Sequence, residues 1–234
     1  TPSPYSGADW GVVEALTRLT AEGKVPATIV VAVDNVADRT AEYMPQKDYA
    51  AMPEAYQARI RAFEDGAEPH SDAFLKFLVG ELKPLIDKTY RTITGPEGTA
   101  IMGSSMGGHI ALYAQGEYPE VFGASASLSM PWLMASWAKT PEAIAADRKT
   151  VVAGWRAWLT TSRMTPDANR IYTDQGTVGL DDVFTPYMED ATTLLLNRGW
   201  TQASLQSRVF AGAEHSEKDW RSRVDTPLVF ILNR

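Results

Sequence analysis

The chain has 234 residues, enough for one large domain or two small ones, and its 44% hydrophobic content and seven tryptophans exclude a disordered polypeptide. A formal net charge of −7 without any basic cluster argues against a nucleic-acid partner, and no apolar run is long enough to predict a membrane span. The absence of cysteine excludes disulfides, thiolate catalysis and cysteine-ligated metals, and it suits a secreted or periplasmic protein.

The first ninety residues contain two helix patterns and one strand pattern. Residues 8–20 carry apolar side chains at helical spacing. Residues 27–33 are a continuous, mostly β-branched run, which predicts a strand buried on both faces of a parallel sheet. Residues 36–69 are polar, contain prolines and lack a clear period, so we expect a long surface excursion. Residues 71–89 keep one face apolar and predict a helix that is kinked at Pro84.

The most informative stretch of the chain is Gly103-Ser104-Ser105-Met106-Gly107-Gly108. It follows a short apolar run and precedes a helical pattern at 106–117, and this is the context in which G-x-S-x-G carries a serine nucleophile. The flanking glycines allow a tight turn, which predicts a strained backbone at Ser105 with its hydroxyl in a cleft. The Met106 amide is then expected to contact an oxyanion. A phosphate-binding loop is disfavoured because Lys followed by Ser or Thr is missing.

The rest of the chain alternates between strand and helix patterns. Residues 121–129, 170–174 and 205–210 predict strands, and 184–199 predicts a helix. Alternating strands and helices predict an α/β domain with a mostly parallel central sheet and helices on both faces. A tryptophan-rich segment at about 130–168 predicts a helical insert. These tryptophans are expected to form either the wall of an acyl pocket or the core of a small cap.

A serine nucleophile needs a base, and the chain has three histidines. His215 follows the last clearly predicted strand, and the chain order serine, acid, histidine is that of an α/β-hydrolase, so His215 is the expected base. His109 lies on the helix after the nucleophile, which carries it away from the hydroxyl. His70 precedes the nucleophile in the chain, and we expect no catalytic role for it or for His109.

The third member must be a carboxylate that orients the imidazole and stabilises its charged form. It is expected in the loop after the strand at 170–174. Asp181 is preferred because a side chain that far into the loop can reach the histidine loop, and Asp182 and Asp174 remain alternatives. No cofactor or metal is predicted, because the histidines and acidic residues lack the spacing of zinc or calcium ligands.

Together, several motifs resemble the bacterial "putative esterase" family, the esterase D or feruloyl esterase group of α/β-hydrolases. The resemblance implies an α/β-hydrolase fold and a carboxylic ester hydrolase, with Ser105 as nucleophile and His215 as base. It places the acid a few residues after a Gly-Thr turn, which favours Asp181, and a slightly longer loop here keeps Asp182 open. The motifs are Gly7-Ala8-Asp9-Trp10-Gly11-Val12, Asp34-Asn35, Arg39, Glu42-Tyr43-Met44-Pro45, Phe77-Leu78, Glu81-Leu82-Lys83-Pro84, Gly103-Ser104-Ser105-Met106-Gly107-Gly108, Asp174-Gln175-Gly176-Thr177 and Gly212-Ala213-Glu214-His215-Ser216-Glu217.

By this resemblance we expect an esterase that forms an acyl-enzyme with a sugar-linked, feruloyl or other small acyl ester. An acyltransferase, or a carbohydrate- or partner-binding domain without catalysis, is the alternative. The resemblance also makes residues 27–33 the fourth strand of the fold and puts the first three strands upstream of Thr1. Without the third strand, backbone groups in the middle of the sheet would lack partners, at about 1–3 kcal/mol each. We therefore expect the active protein to include an upstream segment, and the second oxyanion donor in it or at the amino end.

Overall fold

The computed structural model describes residues 7–63, 66, 68–133 and 140–233. Its centre is a parallel sheet of four strands in the order β1-β2-β3-β4. Because all four strands run in the same direction, their carboxyl ends meet at one edge of the sheet, where open α/β sheets bind ligands. The strands are β1 Ala100–Ser104, β2 Ala124–Leu128, β3 Arg170–Gln175 and β4 Leu205–Val209.

Helices connect the strands and cover the sheet. None of the described helices combines the length and the apolar composition that a bilayer crossing requires. The helices are α1 Val12–Ala21, α2 Arg39–Tyr43, α3 Gln46–Ala51, α4 Glu54–Phe63, α5 Ser71–Phe77, α6 Lys83–Thr89, α7 Met106–Glu117, α8 Pro141–Thr161, α9 Leu180–Asn197, α10 Glu217–Arg223 and α11 Asp225–Leu232.

The alternation of side chains along β2 shows how the layers are arranged. Ser125 Oγ donates a hydrogen bond of 2.6 Å to Gln115 Oε1, and Ser127 Oγ donates one of 2.8 Å to the carbonyl of Gly108, so both serines face α7. Ala124, Ala126 and Leu128 point to the opposite face, where they pack in a cluster with residues of α10 and α11. The sheet is therefore buried on both faces, as predicted for a parallel α/β domain.

The strand predicted at 27–33 is wrong, because this segment forms no strand. In the described part of the chain β1 is an edge of the sheet and pairs only with β2. The side chains of Ile29, Val30 and Val31 are 46, 47 and 42% exposed. β-Branched residues favour extended backbone, but a strand also needs a neighbour that pairs with its N–H and C=O groups.

The surface excursion predicted for residues 36–69 is also wrong, because α2, α3 and α4 lie within it. These helices are short, so their sequence shows too few turns to establish a period. Their apolar side chains are nevertheless buried in the main core, among them Met44, Tyr49 and Ile60. Contacts of α3 with α8 and of α2 with α7 hold this region against the rest of the domain.

Pro84 is accommodated by a π-helical turn at Leu78–Leu82, which joins α5 to α6. A proline lacks the N–H of a regular helical hydrogen bond and collides with the carbonyl four residues earlier. Widening the preceding turn relieves that collision, so the predicted helix continues through three segments in place of a single kinked one.

The described tryptophans of the predicted insert belong to the core. Trp132, Trp155 and Trp158 are each no more than 2% exposed. The ring of Trp155 makes edge contacts with both others, and its Nε1 donates a hydrogen bond of 2.8 Å to the carbonyl of Trp132. These three rings therefore do not wall an open acyl pocket, and Trp137 lies outside the described residues.

Candidate active site

Ser105 lies in the tight turn between β1 and α7. Its backbone has φ 53° and ψ −129°, a conformation that is costly for any residue with a side chain. The Ser105 N–H donates to the carbonyl of Leu128, and the Gly108 N–H donates to the carbonyl of Ser105, both at 2.8 Å. The strained turn is thus held by β2 on one side and by the first turn of α7 on the other. Met106 begins α7, where helix N–H groups lack carbonyl partners within the helix.

The two motif glycines have unequal roles. A Cβ on Gly103 would overlap the backbone of Gly107, so this position excludes any side chain. A Cβ on Gly107 would meet no atom within 4 Å. The sequence pattern treats both glycines alike, but the close approach of β1 to α7 requires only the first.

Asp181 and His215 are joined at the carboxyl edge of the sheet. His215 Nδ1 lies 2.7 Å from Asp181 Oδ1, and the Asp181 side chain is fully buried. Phe184 and Trp220 make edge contacts with the imidazole, with ring centroids 5.8 and 5.1 Å away. Because Nδ1 is engaged by the carboxylate, Nε2 is the nitrogen that remains for a second partner.

The segment before α9 and the loop that carries His215 are fastened to each other by backbone contacts. The N–H groups of Thr177 and Val178 donate to the carbonyl of Ala213 at 3.0 and 3.2 Å. A Cβ on Gly176 would overlap that same carbonyl oxygen. The absence of a side chain at Gly176 therefore permits the close approach that holds Asp181 near His215.

The three acid candidates occupy different surroundings. Asp181 and Asp182 lie in the first turn of α9, which begins four residues before the predicted start, so neither is in a loop. Successive residues of a helix point in different directions, and Asp182 is exposed whereas Asp181 is buried against His215. Asp174 is buried and paired with Arg223. The structure brings Asp181 to His215 and leaves Asp182 and Asp174 with other environments.

The Asp181 carboxylate accepts three hydrogen bonds. Besides the contact with His215, its Oδ2 accepts from Ser129 Oγ and from the Gly176 N–H, both at 2.6 Å. Burial by itself would raise the pKa of Asp181, but the hydrogen bonds from His215, Ser129 and Gly176 outweigh it and leave the pKa below its ordinary value. The carboxylate is therefore held ionised and fixed in direction.

A buried polar network that no local sequence pattern predicts supports Asp181. Ser129 has φ 47°, and its Oγ accepts hydrogen bonds of 2.9 Å from Trp220 Nε1 and from Arg223 Nη2 while donating to Asp181. Arg223 also pairs with Asp174 at 3.0 Å. In the sequence, only the position of Ser129 directly after β2 points to this role, since its partners lie in the distant helices α9 and α10.

The other two histidines stand apart from this site. His109 is 2% exposed and packs against the ring of Trp155, and burial lowers its pKa to about 4, which keeps it neutral at physiological pH. His70 is exposed and precedes α5. Across the part of the chain that the structure describes, no three His, Asp or Glu side chains are grouped as metal ligands would be.

A sequence model of the family described as "Putative esterase" matches residues 8–231. The chain belongs to this esterase family. It is therefore an α/β-hydrolase of the carboxylic ester hydrolase class, and the predicted family and fold class are confirmed. A search of curated proteins found no match.

Solved structures of esterases share the fold. A ferulic acid esterase superposes with a TM-score of 0.60 at 21% identity, over 99% of this chain and 80% of its own. The enterobactin esterase of Shigella flexneri has a TM-score of 0.60 at 20% identity, over 92% of this chain and 45% of its own. An IroE-like serine hydrolase from Shewanella oneidensis has a TM-score of 0.58 at 15% identity, over 94% and 66%. The chain thus spans less than half of the enterobactin esterase.

Proposed function

We propose that this esterase is a serine hydrolase in which Ser105, His215 and Asp181 form the catalytic triad. The observation that carries the proposal is the 2.7 Å contact between His215 Nδ1 and the buried Asp181 carboxylate. Support also comes from the strained backbone of Ser105 at the same edge of the sheet. Each residue then has the environment that its role in acyl transfer requires.

In the proposed mechanism His215 Nε2 removes the proton of the Ser105 hydroxyl as its oxygen attacks the ester carbonyl. The Met106 N–H stabilises the negative charge on the carbonyl oxygen. The protonated imidazole is stabilised by Asp181 and gives its proton to the departing alcohol, which leaves an acyl-enzyme. His215 then activates a water molecule that releases the acid and regenerates Ser105.

The proposed substrate is a sugar-linked, feruloyl or other small acyl ester. The overall charge of −7 disfavours a polyanion. Fold similarity is a poor guide to substrate, since related sites act on many esters. An acyltransferase would use the same residues with an alcohol in place of water, so analysis of the products in the presence of acceptor alcohols separates the two activities.

Fluorophosphonate labelling tests the triad. We expect covalent modification of Ser105 in the native protein and none in Ser105→Ala. Asp181→Asn should slow both labelling and ester hydrolysis by orders of magnitude, because it favours the wrong imidazole tautomer. Asp182→Asn is the matched control, since it makes the same change one residue away on the exposed side of α9. A folded protein that is not labelled would favour a binding domain, and equal effects of the two substitutions would exclude Asp181 as the acid.

We further propose that the active protein contains a segment upstream of Thr1 that pairs with the outer edge of β1. Support comes from that edge, which has no partner strand among the residues that the structure describes, and from the exposed apolar side chains at 29–31. A strand between β1 and residues 27–33 would form backbone hydrogen bonds with both and would bring a second oxyanion N–H close to Ser105. Hydrogen exchange of the protein with its natural upstream residues tests this, because amides of 27–33 should become protected. Rapid exchange there would contradict the proposal.

A further inference from the structure

Arg39 lies beside the nucleophilic turn, and the proposed mechanism does not use it. It is the first residue of α2, a helix that packs against α7. Its Nη1 is 3.8 Å from Sδ of Met106, the residue that follows Ser105. Its Cζ lies 5.6 Å from the centre of the Tyr43 ring. The guanidinium is thus partly buried between an aromatic ring and the side chain next to the reacting serine.

The charge of Arg39 has no carboxylate partner among the described residues. The two acidic side chains nearest to it in the sequence are engaged elsewhere. Asp38 accepts a hydrogen bond of 3.3 Å from the Ala41 N–H, and Glu42 accepts one of 2.9 Å from the Val36 N–H. A thioether sulfur is a weak acceptor, and a guanidinium has five N–H donors, so most of its hydrogen-bonding capacity is free.

Arg39 is one of several charged groups that act on Tyr43. Burial raises the pKa of Tyr43, and the negative charge of Glu42 raises it further, while Arg39 opposes this effect and Asp34 adds to it. Glu42 and Asp34 are thus the carboxylates that act on this ring, and neither forms an ion pair with Arg39 within the described part of the chain.

We propose that Arg39 binds an anionic group, and specifically a carboxylate, on the ester that Ser105 attacks. This inference rests on the proposed function of Ser105. Arg39 Nη1 contacts Met106 Sδ, so one methionine side chain separates the guanidinium from the N–H that would stabilise the ester carbonyl. A guanidinium pairs with a carboxylate through two parallel hydrogen bonds, and the Tyr43 ring supports its plane. Because the net charge of −7 does not attract anions over a distance, recognition by Arg39 is local.

Matched pairs of neutral and anionic esters test the proposal. One pair is 4-nitrophenyl hydrogen adipate and its methyl ester. The first carries a free carboxylate on the acyl side, and the second carries a neutral methyl ester at the same position. The other pair is 3-acetoxybenzoate and its methyl ester, which differ on the alcohol side. In at least one pair, we expect kcat/KM to be about tenfold higher for the anionic ester, as for a charge-assisted contact.

Substitutions at Arg39 then show whether this residue causes the preference. In Arg39→Gln the ratio of the two kcat/KM values should fall to about one, and Arg39→Lys should retain part of it because lysine keeps the charge without the planar fork. Arg156→Gln is the control, since it removes the same charge from an exposed position on α8. Circular dichroism verifies that each variant is folded.

The outcomes separate the two proposals. Equal kcat/KM values for both members of each pair in the native enzyme would overturn the role of Arg39 while leaving Ser105 as the nucleophile. A preference that survives in Arg39→Gln, or that disappears equally in Arg156→Gln, would also overturn it. Failure to hydrolyse any ester, together with no labelling of Ser105, would refute the proposed function and this inference with it.

Discussion

Replacing Ser129 by alanine tests whether the buried network behind Asp181 contributes to catalysis. The change deletes one oxygen atom that donates to Asp181 Oδ2 at 2.6 Å and accepts from Trp220 and Arg223 at 2.9 Å. Alanine and serine tolerate the observed φ of 47° equally poorly, so backbone strain changes little. The effect of Ser129→Ala therefore comes from the hydrogen bonds.

Two magnitudes follow from the structure. A hydrogen bond to a charged group contributes about 1.5–3 kcal/mol. Asp181 keeps its bonds to His215 and to the Gly176 N–H, so we expect the lower part of this range and a decrease of about tenfold in kcat/KM. The buried Trp220 N–H loses its acceptor, which adds about 1–3 kcal/mol of destabilisation.

The pH dependence of stability gives an independent readout. In the native protein the pKa of Asp181 lies below its ordinary value, so its contribution to stability is present above the ordinary pKa and is lost as pH falls through the folded-state pKa. In Ser129→Ala this pKa rises because one stabilising hydrogen bond is missing. The stability deficit of the variant, measured by urea unfolding, should therefore be largest near neutral pH and smaller in acid.

Ser125→Ala is the matched control for this experiment. Ser125 is buried on β2, the strand that Ser129 follows, and it donates a hydrogen bond of 2.6 Å to Gln115, with no link to Asp181. It should lose stability with little change in kcat/KM and with no Asp181-dependent change in the pH profile. If Ser129→Ala and Ser125→Ala reduce kcat/KM equally, or if the stability deficit of Ser129→Ala does not shrink in acid, the network does not act through Asp181.

Three further predictions concern Asp48 and two glycine contacts. Asp48 is fully buried with both carboxylate oxygens unpaired among the described residues, and burial raises its pKa well above the ordinary value. The ionised Asp48 therefore destabilises the fold increasingly as pH rises above the ordinary pKa of aspartate. Asp48→Asn should accordingly raise Tm more at alkaline than at acidic pH in calorimetry. Gly103→Ala should yield little soluble protein, whereas Gly107→Ala should give a folded protein by circular dichroism; equal yields would contradict the packing argument. Gly176→Ala must push the segment before α9, and Asp181 with it, away from the carbonyl of Ala213, so kcat should fall at least tenfold in ester assays, and native activity would refute this.

Local patterns were sufficient to locate the nucleophilic turn and most of the sheet. Helix α7 spans 106–117 as predicted, because the motif glycines, the preceding apolar run and the helical residues are neighbours in the chain. Strands β2, β3 and β4 lie within or beside the predicted ranges for the same reason. The segment 27–33 has an equally clear strand composition, but pairing with a neighbour decides whether such a segment becomes a strand.

The sequence by itself therefore determined the fold class, the family and the turn that presents Ser105, since each depends on residues close together in the chain. Only the tertiary structure decided which aspartate meets His215, because Asp181 and Asp182 are chemically identical neighbours that differ only in the face of α9 they occupy. It also decided the network of Ser129 with Arg223, which joins residues 94 positions apart. Contacts of this kind arise from the packing of distant helices onto the sheet edge, which no local pattern specifies.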